Sequence, residues 1–197
     1  MKPRLIGITG GMGSGKSTVS KILRHLNYKV YNSDVRGKEL MGEVRSIRDQ
    51  LESIFGDEIF NNNKLDAKAL SRKVFKDDSS LQKINSIVHP EVEKDFNSWV
   101  ASNSNDKCLF KESALLFETG AFRHLDKTIL IIADKDLRIN RVLERDVDRS
   151  KKEIENIISK QIDEDEASKL ADVILYNNQD DLLLPRVIEE IERLFKN

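Results

Sequence analysis

A glycine-rich segment carries the residues of this chain with the clearest chemical purpose. Residues 10–17 read Gly-Gly-Met-Gly-Ser-Gly-Lys-Ser, which matches the phosphate-binding pattern G-x-x-x-x-G-K-[ST] at every defined position. Glycines permit backbone torsions closed to other residues, so N–H groups can converge on phosphate oxygens. We expect Lys16 to reach the outer phosphates of ATP and the Ser17 hydroxyl to ligate Mg²⁺. The predicted nucleotide-binding residues of this segment are Gly11, Met12, Gly13, Ser14, Gly15, Lys16, Ser17 and Thr18.

The flanking segments give the glycine-rich segment its expected context. Residues 4–9 form a short apolar, β-branched run, typical of a buried parallel strand. Residues 15–27 follow with helical periodicity, and residues 28–32 predict the next strand. Strand, helix and strand in this order form a βαβ unit. A chance glycine-rich turn would lack this context, so the pattern predicts a functional phosphate loop.

Three later apolar runs, at 107–112, 127–133 and 172–177, complete a predicted sheet of five parallel strands. The fold class is therefore α/β: a doubly wound P-loop core with a helical insertion and a helical lid. Ligands of such sheets bind at the carboxyl ends of the strands. We therefore expect the catalytic and ligand-binding residues in the loops that follow Thr9, Asn32, Glu112, Ala133 and Asn177.

The domain organisation follows from the distribution of these strands. We predict one P-loop domain with a core formed by residues 1–35, 106–134 and 171–197. Residues 36–105 contain no convincing strand and predict a mostly helical insertion, with breaks at 55–57, 61–63 and 89–90. Residues 135–170 are helical and highly charged, and they form the predicted lid region.

Asp34 is the strongest candidate for a catalytic base. It follows the second strand, which we expect to end beside the phosphate loop, close to Lys16. A carboxylate there could orient an acceptor hydroxyl and accept its proton during phosphoryl transfer. The alternative is that Asp34 caps the next helix, with Ser33 as a rival cap.

Two fragments suggest a GTPase switch instead. Residues 34–37 resemble a D-x-x-G sequence, and residues 63–66 resemble the guanine-reading N-K-x-D sequence. Position argues against both. The first comes too soon after the phosphate loop, and the second follows an Asn-rich turn rather than a strand.

Four arginines could close a lid over bound phosphates. Arg138, Arg141, Arg145 and Arg149 are spaced so that one continuous helix would present all of them on one face. A salt-bridged surface helix is the plainer alternative, since acidic residues are interleaved. The planar guanidinium suits phosphate binding, and we favour Arg141 and Arg145 as catalytic residues.

Three other residues leave their roles open. Glu112 ends the third strand and either holds Mg²⁺ through water or is a solvated strand end. Pro90 predicts the first turn of a helix, which makes His89 structural or ligand-facing. Cys108, the only cysteine, lies in a predicted buried strand and should be inert.

Composition excludes several classes of function. The chain has 197 residues, 39% of them hydrophobic and 34% charged, with a net charge of -1. A generic nucleic-acid binder would carry a marked basic excess. The N-terminal apolar run is too short for a signal peptide or a membrane span. We therefore expect a cytoplasmic protein whose partner is a small molecule, not a nucleic acid or a membrane.

The spaced series of sequences resembles the dephospho-coenzyme A kinase family over nearly the whole chain. The resemblance is carried by IGITGGMGSGKSTVSKIL at 6–23, YNSD at 31–34, ALSRKVF at 69–75, INSIVHPEV at 84–92, ESALLFETG at 112–120, RVLERD at 141–146 and ADVILYNN at 171–178. It implies ATP-dependent phosphorylation of the ribose 3′-hydroxyl of dephospho-coenzyme A, the last step of coenzyme A biosynthesis. A nucleoside or nucleotide kinase is the nearest alternative, and a non-enzymatic nucleotide switch is the second.

The same resemblance implies several residue roles. Asp34 matches the position of the family's catalytic base, Arg145 matches a lid arginine, and Asn177 lies in the adenine pocket. The insertion, with Arg72 and His89, matches the acceptor-binding region.

The chain departs from the family pattern at three positions. Asn32 replaces the first aspartate of D-A-D, Ala114 replaces a frequent proline, and Glu112 stands where aspartate is common. The mechanism keeps every group that it requires, although Glu112 changes the expected metal geometry.

Overall fold

The computed structural model describes residues 2–61, 64–74 and 78–196. The chain divides into two compact units. One, the sheet unit, contains residues 1–31 and 104–197, and the other, the helical unit, contains residues 32–103. Within the described ranges, no helix combines the length and apolar character needed to cross a membrane.

The sheet unit is built on the five predicted strands. Numbered along the chain, they are β1 (Arg4–Thr9), β2 (Lys29–Asn32), β5 (Cys108–Glu112), β6 (Lys127–Ile132) and β7 (Val173–Tyr176). The strand order is β2-β5-β1-β6-β7, and β1 pairs in parallel with both β5 and β6. The predicted α/β P-loop fold is confirmed, since each strand lies within a residue or two of its expected bounds.

The position of β2 differs from expectation. We predicted that β2 would end beside the phosphate loop, but β5 lies between β2 and β1. Burial gives the physical reason. Every residue of β5 is buried, whereas β2 has one exposed and two half-buried residues. The more apolar strand occupies the inner position of the sheet, although it comes later in the chain.

Helices cover both faces of the sheet. On one face, α1 (Lys16–His25) and α9 (Leu183–Lys196) enclose a core that includes Ile8, Leu23 and Phe110. On the other face, α8 (Glu164–Leu170) packs over Leu130 and Ile132. These two cores fix the carboxyl ends of β1 and β6, where the loops of chemical interest begin.

Cys108 lies on the α1/α9 face of the sheet and is buried. Burial raises the pKa of its thiol to about 12. The thiol therefore stays protonated at neutral pH, as expected for an unreactive cysteine.

The charged region after β6 begins with two separate helices, which precede α8. α6 (Lys135–Arg145) and α7 (Lys151–Ser159) share a small core of Ile139, Val142 and Ile154. α6 ends at Arg145, with Asp146 as its C-cap. α7 begins after Ser150, which forms a capping box with Glu153. The four arginines therefore do not lie on one continuous helix, and Arg149 lies in the connecting turn.

The helical unit contains four α-helices in its described part. They are α2 (Ser33–Glu43), α3 (Arg45–Phe55), α4 (Ala67–Val74) and α5 (Asp78–Ser102). Arg36 of α2 donates to both carboxylate oxygens of Asp95 of α5, at 2.9 and 3.1 Å. This pair fastens the helix that carries Asp34 to the longest helix of the unit.

Two predictions for this unit were wrong. We expected no strand, but β3 (Phe60–Asn61) and β4 (Lys64–Leu65) form a short antiparallel pair. We also expected Pro90 to begin a helix, but it lies inside α5. The buried residues Val88 and Val92 flank the proline, and their packing outweighs the backbone hydrogen bond that proline removes. The predicted break at Gly56 is present, and residues 62 and 63 of the other predicted break lie outside the described residues.

Candidate active site

The glycine loop connects β1 to α1 through backbone torsions that favour glycine. Gly10, Gly13 and Gly15 have φ values of 145°, 78° and 105°. A Cβ on Gly13 would lie 2.4 Å from the carbonyl oxygen of Arg138. A Cβ on Gly15 would lie 2.1 Å from Nδ2 of Asn177. Both torsion and space therefore restrict these two positions to glycine.

The loop curls around the ammonium group of Lys16. Nζ of Lys16 donates to the carbonyl oxygens of Gly10 at 2.6 Å and Gly11 at 3.1 Å. α1 begins at Lys16, and its first turn contains no acidic residue. The positive end of the helix dipole and the ammonium therefore act on the same loop, an arrangement suited to an anion.

Two serine hydroxyls of the loop differ in their surroundings. Ser17 is exposed, so its hydroxyl is accessible to a ligand. Ser14 is buried, and its Oγ has no hydrogen-bond partner among the described residues. A buried hydroxyl without a partner destabilises the protein until a ligand or water satisfies it.

Side chains from distant parts of the chain brace the outside of the loop. Nδ2 of Asn177 donates to the carbonyl oxygen of Ser14 at 2.7 Å. Arg141 donates to the carbonyl oxygens of Asn177 at 3.0 Å and Gly13 at 3.5 Å. The structure thus brings Asn177, expected in the adenine pocket, and Arg141, expected in the lid, into contact with the glycine loop.

Two further side chains hydrogen-bond to the backbone N–H and C=O of Met12. Nε of Arg138 donates to the carbonyl oxygen of Met12 at 2.8 Å. The N–H of Met12 donates to Oε1 of Gln161 at 2.8 Å. Sequence reasoning grouped Arg138 with the lid arginines but missed Gln161. No local signal marks that glutamine, because it lies in a polar connection between α7 and α8.

A cavity of about 520 Å³ opens beside the first half of the loop. Apolar side chains such as Phe117, Leu130 and Ile162 line part of it. Gly10 and Gly11 form another wall, together with the polar groups of Arg138 and Gln161. The cavity therefore places polar and cationic groups at a phosphate loop, with apolar surface next to them.

The other predicted residues of the sheet unit have different surroundings. Arg145 is exposed and bonds to Asp146 at 3.2 and 3.4 Å. Glu112 is buried at the end of β5, so the alternative of a solvated strand end was wrong. Among the described residues, no group of three or more His, Cys, Asp or Glu side chains could hold a metal ion. A metal here would depend on phosphate oxygens and few protein ligands, as Mg²⁺ does in phosphoryl-transfer enzymes.

In the helical unit, Asp34 lies in the first turn of α2 and is exposed. The helix cap is Asn32, whose side chain accepts from the N–H of Val35 at 2.9 Å. The alternative that Asp34 or Ser33 caps this helix was therefore wrong. Asn32, which departs from the family pattern, performs the capping.

The remaining acceptor-region candidates lie on two helices of the same unit. His89 is half-buried in α5, and Arg72 is exposed on α4. The aspartate of the GTPase-like sequence, Asp66, accepts from the N–H of Ala69 at 3.0 Å, as a residue at a helix start does. That sequence therefore has a structural explanation that does not involve guanine.

Known proteins resemble this chain along its full length. A profile of the dephospho-CoA kinase family matches residues 4–182. A dephospho-CoA kinase from Fusobacterium nucleatum is 36% identical over 98% of this chain and 97% of its own length.

The chain belongs to the dephospho-CoA kinase family.

Solved structures agree with this assignment. A crystal structure from Thermus thermophilus has a TM-score of 0.85 at 32% identity, covering 98% of both chains. The dephospho-CoA kinase from Campylobacter jejuni has a TM-score of 0.72 at 26% identity, covering 98% of this chain and 97% of its own. The resemblance inferred from the sequence is confirmed, and the chain is a phosphotransferase by family.

The fit between Gly13 and α6 gives the first prediction. Gly13→Ala places a methyl group against the backbone of Arg138 in a left-handed conformation. We expect the free energy of unfolding to fall by about 2 kcal/mol or more, measured by urea denaturation and circular dichroism.

The matched control for Gly13→Ala is Gly37→Ala. Gly37 lies inside α2, and its added Cβ would meet Val88 and Val92 at an ordinary 3.5 Å. Alanine there should leave stability unchanged or raise it by about 0.5–1 kcal/mol. Equal stability of the two variants would contradict the packing of Gly13 on α6.

Proposed function

We propose that this chain transfers the terminal phosphoryl group of ATP to the ribose 3′-hydroxyl of dephospho-coenzyme A, forming coenzyme A. The observation that carries the proposal is the glycine loop, curled around Lys16 and closed on its outer side by Asn177 and Arg141. Membership of the dephospho-CoA kinase family supports the choice of acceptor.

The N–H groups of residues 11–18 and the Lys16 ammonium bind the phosphates of ATP. The buried Ser14 hydroxyl and the positive end of α1 add to the same anion site. Asn177, at the carboxyl end of β7, lies on the side of the loop where the adenine binds. Ser17, and Glu112 directly or through water, would hold Mg²⁺, which when bound would neutralise charge on the phosphates during transfer.

Asp34 is the catalytic base. Its carboxylate orients the 3′-hydroxyl and accepts the hydroxyl proton as the oxygen attacks the terminal phosphorus. The bond from that phosphorus to the oxygen bridging to ADP then breaks, and ADP leaves. Its place in the first turn of α2 supports this role, because the helix N-terminus stabilises the ionised carboxylate. An ionised carboxylate is the form that can accept a proton.

Residues 135–170 form a lid in this proposal. Arg141 contacts the glycine loop and so holds α6, the first helix of the lid, against that loop. Arg145 lies one helical turn further on, exposed and paired only at the surface with Asp146. Exposed ion pairs contribute little to stability, so Arg145 can exchange Asp146 for a phosphate oxygen at small cost. A closed lid also excludes water and so prevents hydrolysis of ATP.

The acceptor binds to the insertion formed by residues 36–105. Arg72 supplies a cationic group for the acceptor's phosphates, and His89 supplies a ring nitrogen for hydrogen bonding. Both side chains have some solvent exposure, which this role requires. Asp34 and these residues belong to the helical unit, whose α2 is fastened to α5 by Arg36.

A product assay tests the proposed reaction. The protein is incubated with Mg²⁺-ATP and dephospho-coenzyme A, and the product is analysed by mass and by sensitivity to a 3′-nucleotidase. We expect stoichiometric formation of coenzyme A and ADP. Turnover of nucleoside monophosphates in place of dephospho-coenzyme A would instead establish a nucleotide kinase. Tight GTP binding without any acceptor chemistry would establish a nucleotide switch.

A substitution tests the role of Asp34. Asp34→Asn keeps the size and polarity of the side chain but removes the proton acceptor. We expect kcat to fall by about 10²–10⁴-fold, while the Kd for ATP stays within about twofold. Steady-state kinetics and calorimetric titration measure the two quantities.

The matched control for Asp34→Asn is Asp49→Asn. Asp49 lies on α3 of the same unit, and its side chain is 59% exposed in a long ion pair with Arg45. This variant should retain wild-type kcat. Near-normal turnover of Asp34→Asn would exclude Asp34 as the base.

A further inference from the structure

Arg138 differs from the other lid-region arginines in how it meets the glycine loop. Its guanidinium lies against Gly11, so closely that a Cβ on Gly11 would be 2.0 Å from Nη2 and 2.5 Å from Cζ. Its Nε donates to the Met12 carbonyl. Arg145, by contrast, contacts a carboxylate at the surface. Arg141 reaches the loop only through a long 3.5 Å contact with the Gly13 carbonyl, so Arg138 is the arginine of this region that lies closest against the loop.

No described carboxylate forms an ion pair with Arg138. Its hydrogen bonds go to the Met12 carbonyl and to Oε1 of Gln161, which accepts at 3.3 Å, and both acceptors are neutral. Burial lowers the pKa of the guanidinium and the nearby charge of Glu164, which lines the same cavity, raises it, although arginine stays charged at any physiological pH. A partly desolvated cation with no carboxylate in direct contact destabilises the free protein, and an anion that binds against it relieves this cost.

The position of this charge indicates which anion relieves it. Arg138 lines the cavity together with Gly10 and Gly11, at the loop where the phosphates of ATP are proposed to bind. In this partly dry setting, a positive charge acts on a phosphate more strongly than it would at the surface. The planar guanidinium also suits phosphate oxygens.

Gln161 holds this arrangement together. Its Oε1 accepts from both the Met12 N–H and Nη2 of Arg138, so one oxygen joins the loop to α6. The next residue, Ile162, donates its N–H to Glu118 at 3.2 Å. The connection between α7 and α8 is thus fixed on one side to the glycine loop and on the other to the segment after β5.

We propose that Arg138 and Gln161 together form a positioning clamp on the Met12 peptide, and that the Arg138 charge strengthens binding of the ATP phosphates. Gln161 keeps this charge available because it is a neutral acceptor. A glutamate at the same position would pair with Arg138 and cancel its charge. The inference rests on the proposed nucleotide site and deepens it.

Two substitutions separate charge from packing. Arg138→Gln removes the charge and keeps a hydrogen-bonding side chain. Gln161→Glu keeps the acceptor for the Met12 N–H and neutralises Arg138 without shortening any side chain. We expect each to weaken ATP binding by about tenfold or more, since hydrogen bonds and charges at a phosphate carry interactions of that size. Gln161→Glu should melt at or above the wild-type temperature, because it adds an ion pair.

The change of the Kd for ATP with ionic strength separates a role of the Arg138 charge from a purely structural role, which would not alter this dependence. The Kd for ATP is measured by calorimetry at low and high ionic strength for both variants, for Arg138→Lys and for the control Arg193→Gln. Arg193 lies on α9 in surface ion pairs with Glu189 and Glu190. Wild type, Arg138→Lys and Arg193→Gln should lose affinity steeply with salt, whereas Arg138→Gln and Gln161→Glu should lose it less steeply.

Each result has a defined meaning. ATP affinity within twofold of wild type in Gln161→Glu or Arg138→Gln would overturn the inference, as would a salt dependence equal to that of wild type. Failure of the wild-type protein to bind ATP would overturn the proposed nucleotide site itself. The two failures are therefore distinguishable in the same series of titrations.

Discussion

The structure depends on the close contact between the glycine loop and the helix that follows β6. Gly13 lies against the backbone of Arg138, and Gly15 lies against the side chain of Asn177. Neither position leaves space for a side chain. The loop can therefore curl tightly enough for its amide groups to converge, because α6 and the segment after β7 support it from outside.

This support also connects the phosphate site to the lid region. Arg138 and Arg141 come from α6, and Gln161 comes from the connection between α7 and α8. Their hydrogen bonds go to carbonyl and amide groups of the loop. A movement of these helices would therefore change the shape of the loop, so the proposed lid could influence the proposed ATP site directly.

Much of this architecture could be predicted from the sequence, because its signals are local. Short apolar runs marked all five strands, and the loop pattern marked the phosphate site. The predictions that were wrong concern features that depend on tertiary packing. The inner position of β5 reflects burial, which is decided among strands that are distant in the chain. Pro90 continues a helix because residues on either side of it are buried.

The candidate site shows the same division. Lys16 and Arg141 could be named from motif and spacing and Asn177 from the family resemblance, and all three contact the loop in the structure. Gln161 could not be named, because only the folded chain brings residue 161 to residue 12. The turn that contains Arg149 did carry a local signal that was missed, since Ser150 and Glu153 form the S-x-x-E pattern typical of a helix start.

The most direct test of this account is an NMR titration of the ¹⁵N-labelled protein with Mg²⁺-ATP, and in parallel with AMP. If the phosphates rest on the glycine loop, the amide signals of Gly13, Gly15 and Lys16 should shift most with ATP and much less with AMP. Gly120, which precedes a short 3₁₀ helix and is not part of the glycine loop, should change much less than the three loop amides. Saturating ATP that leaves the three loop amides unshifted would contradict the account.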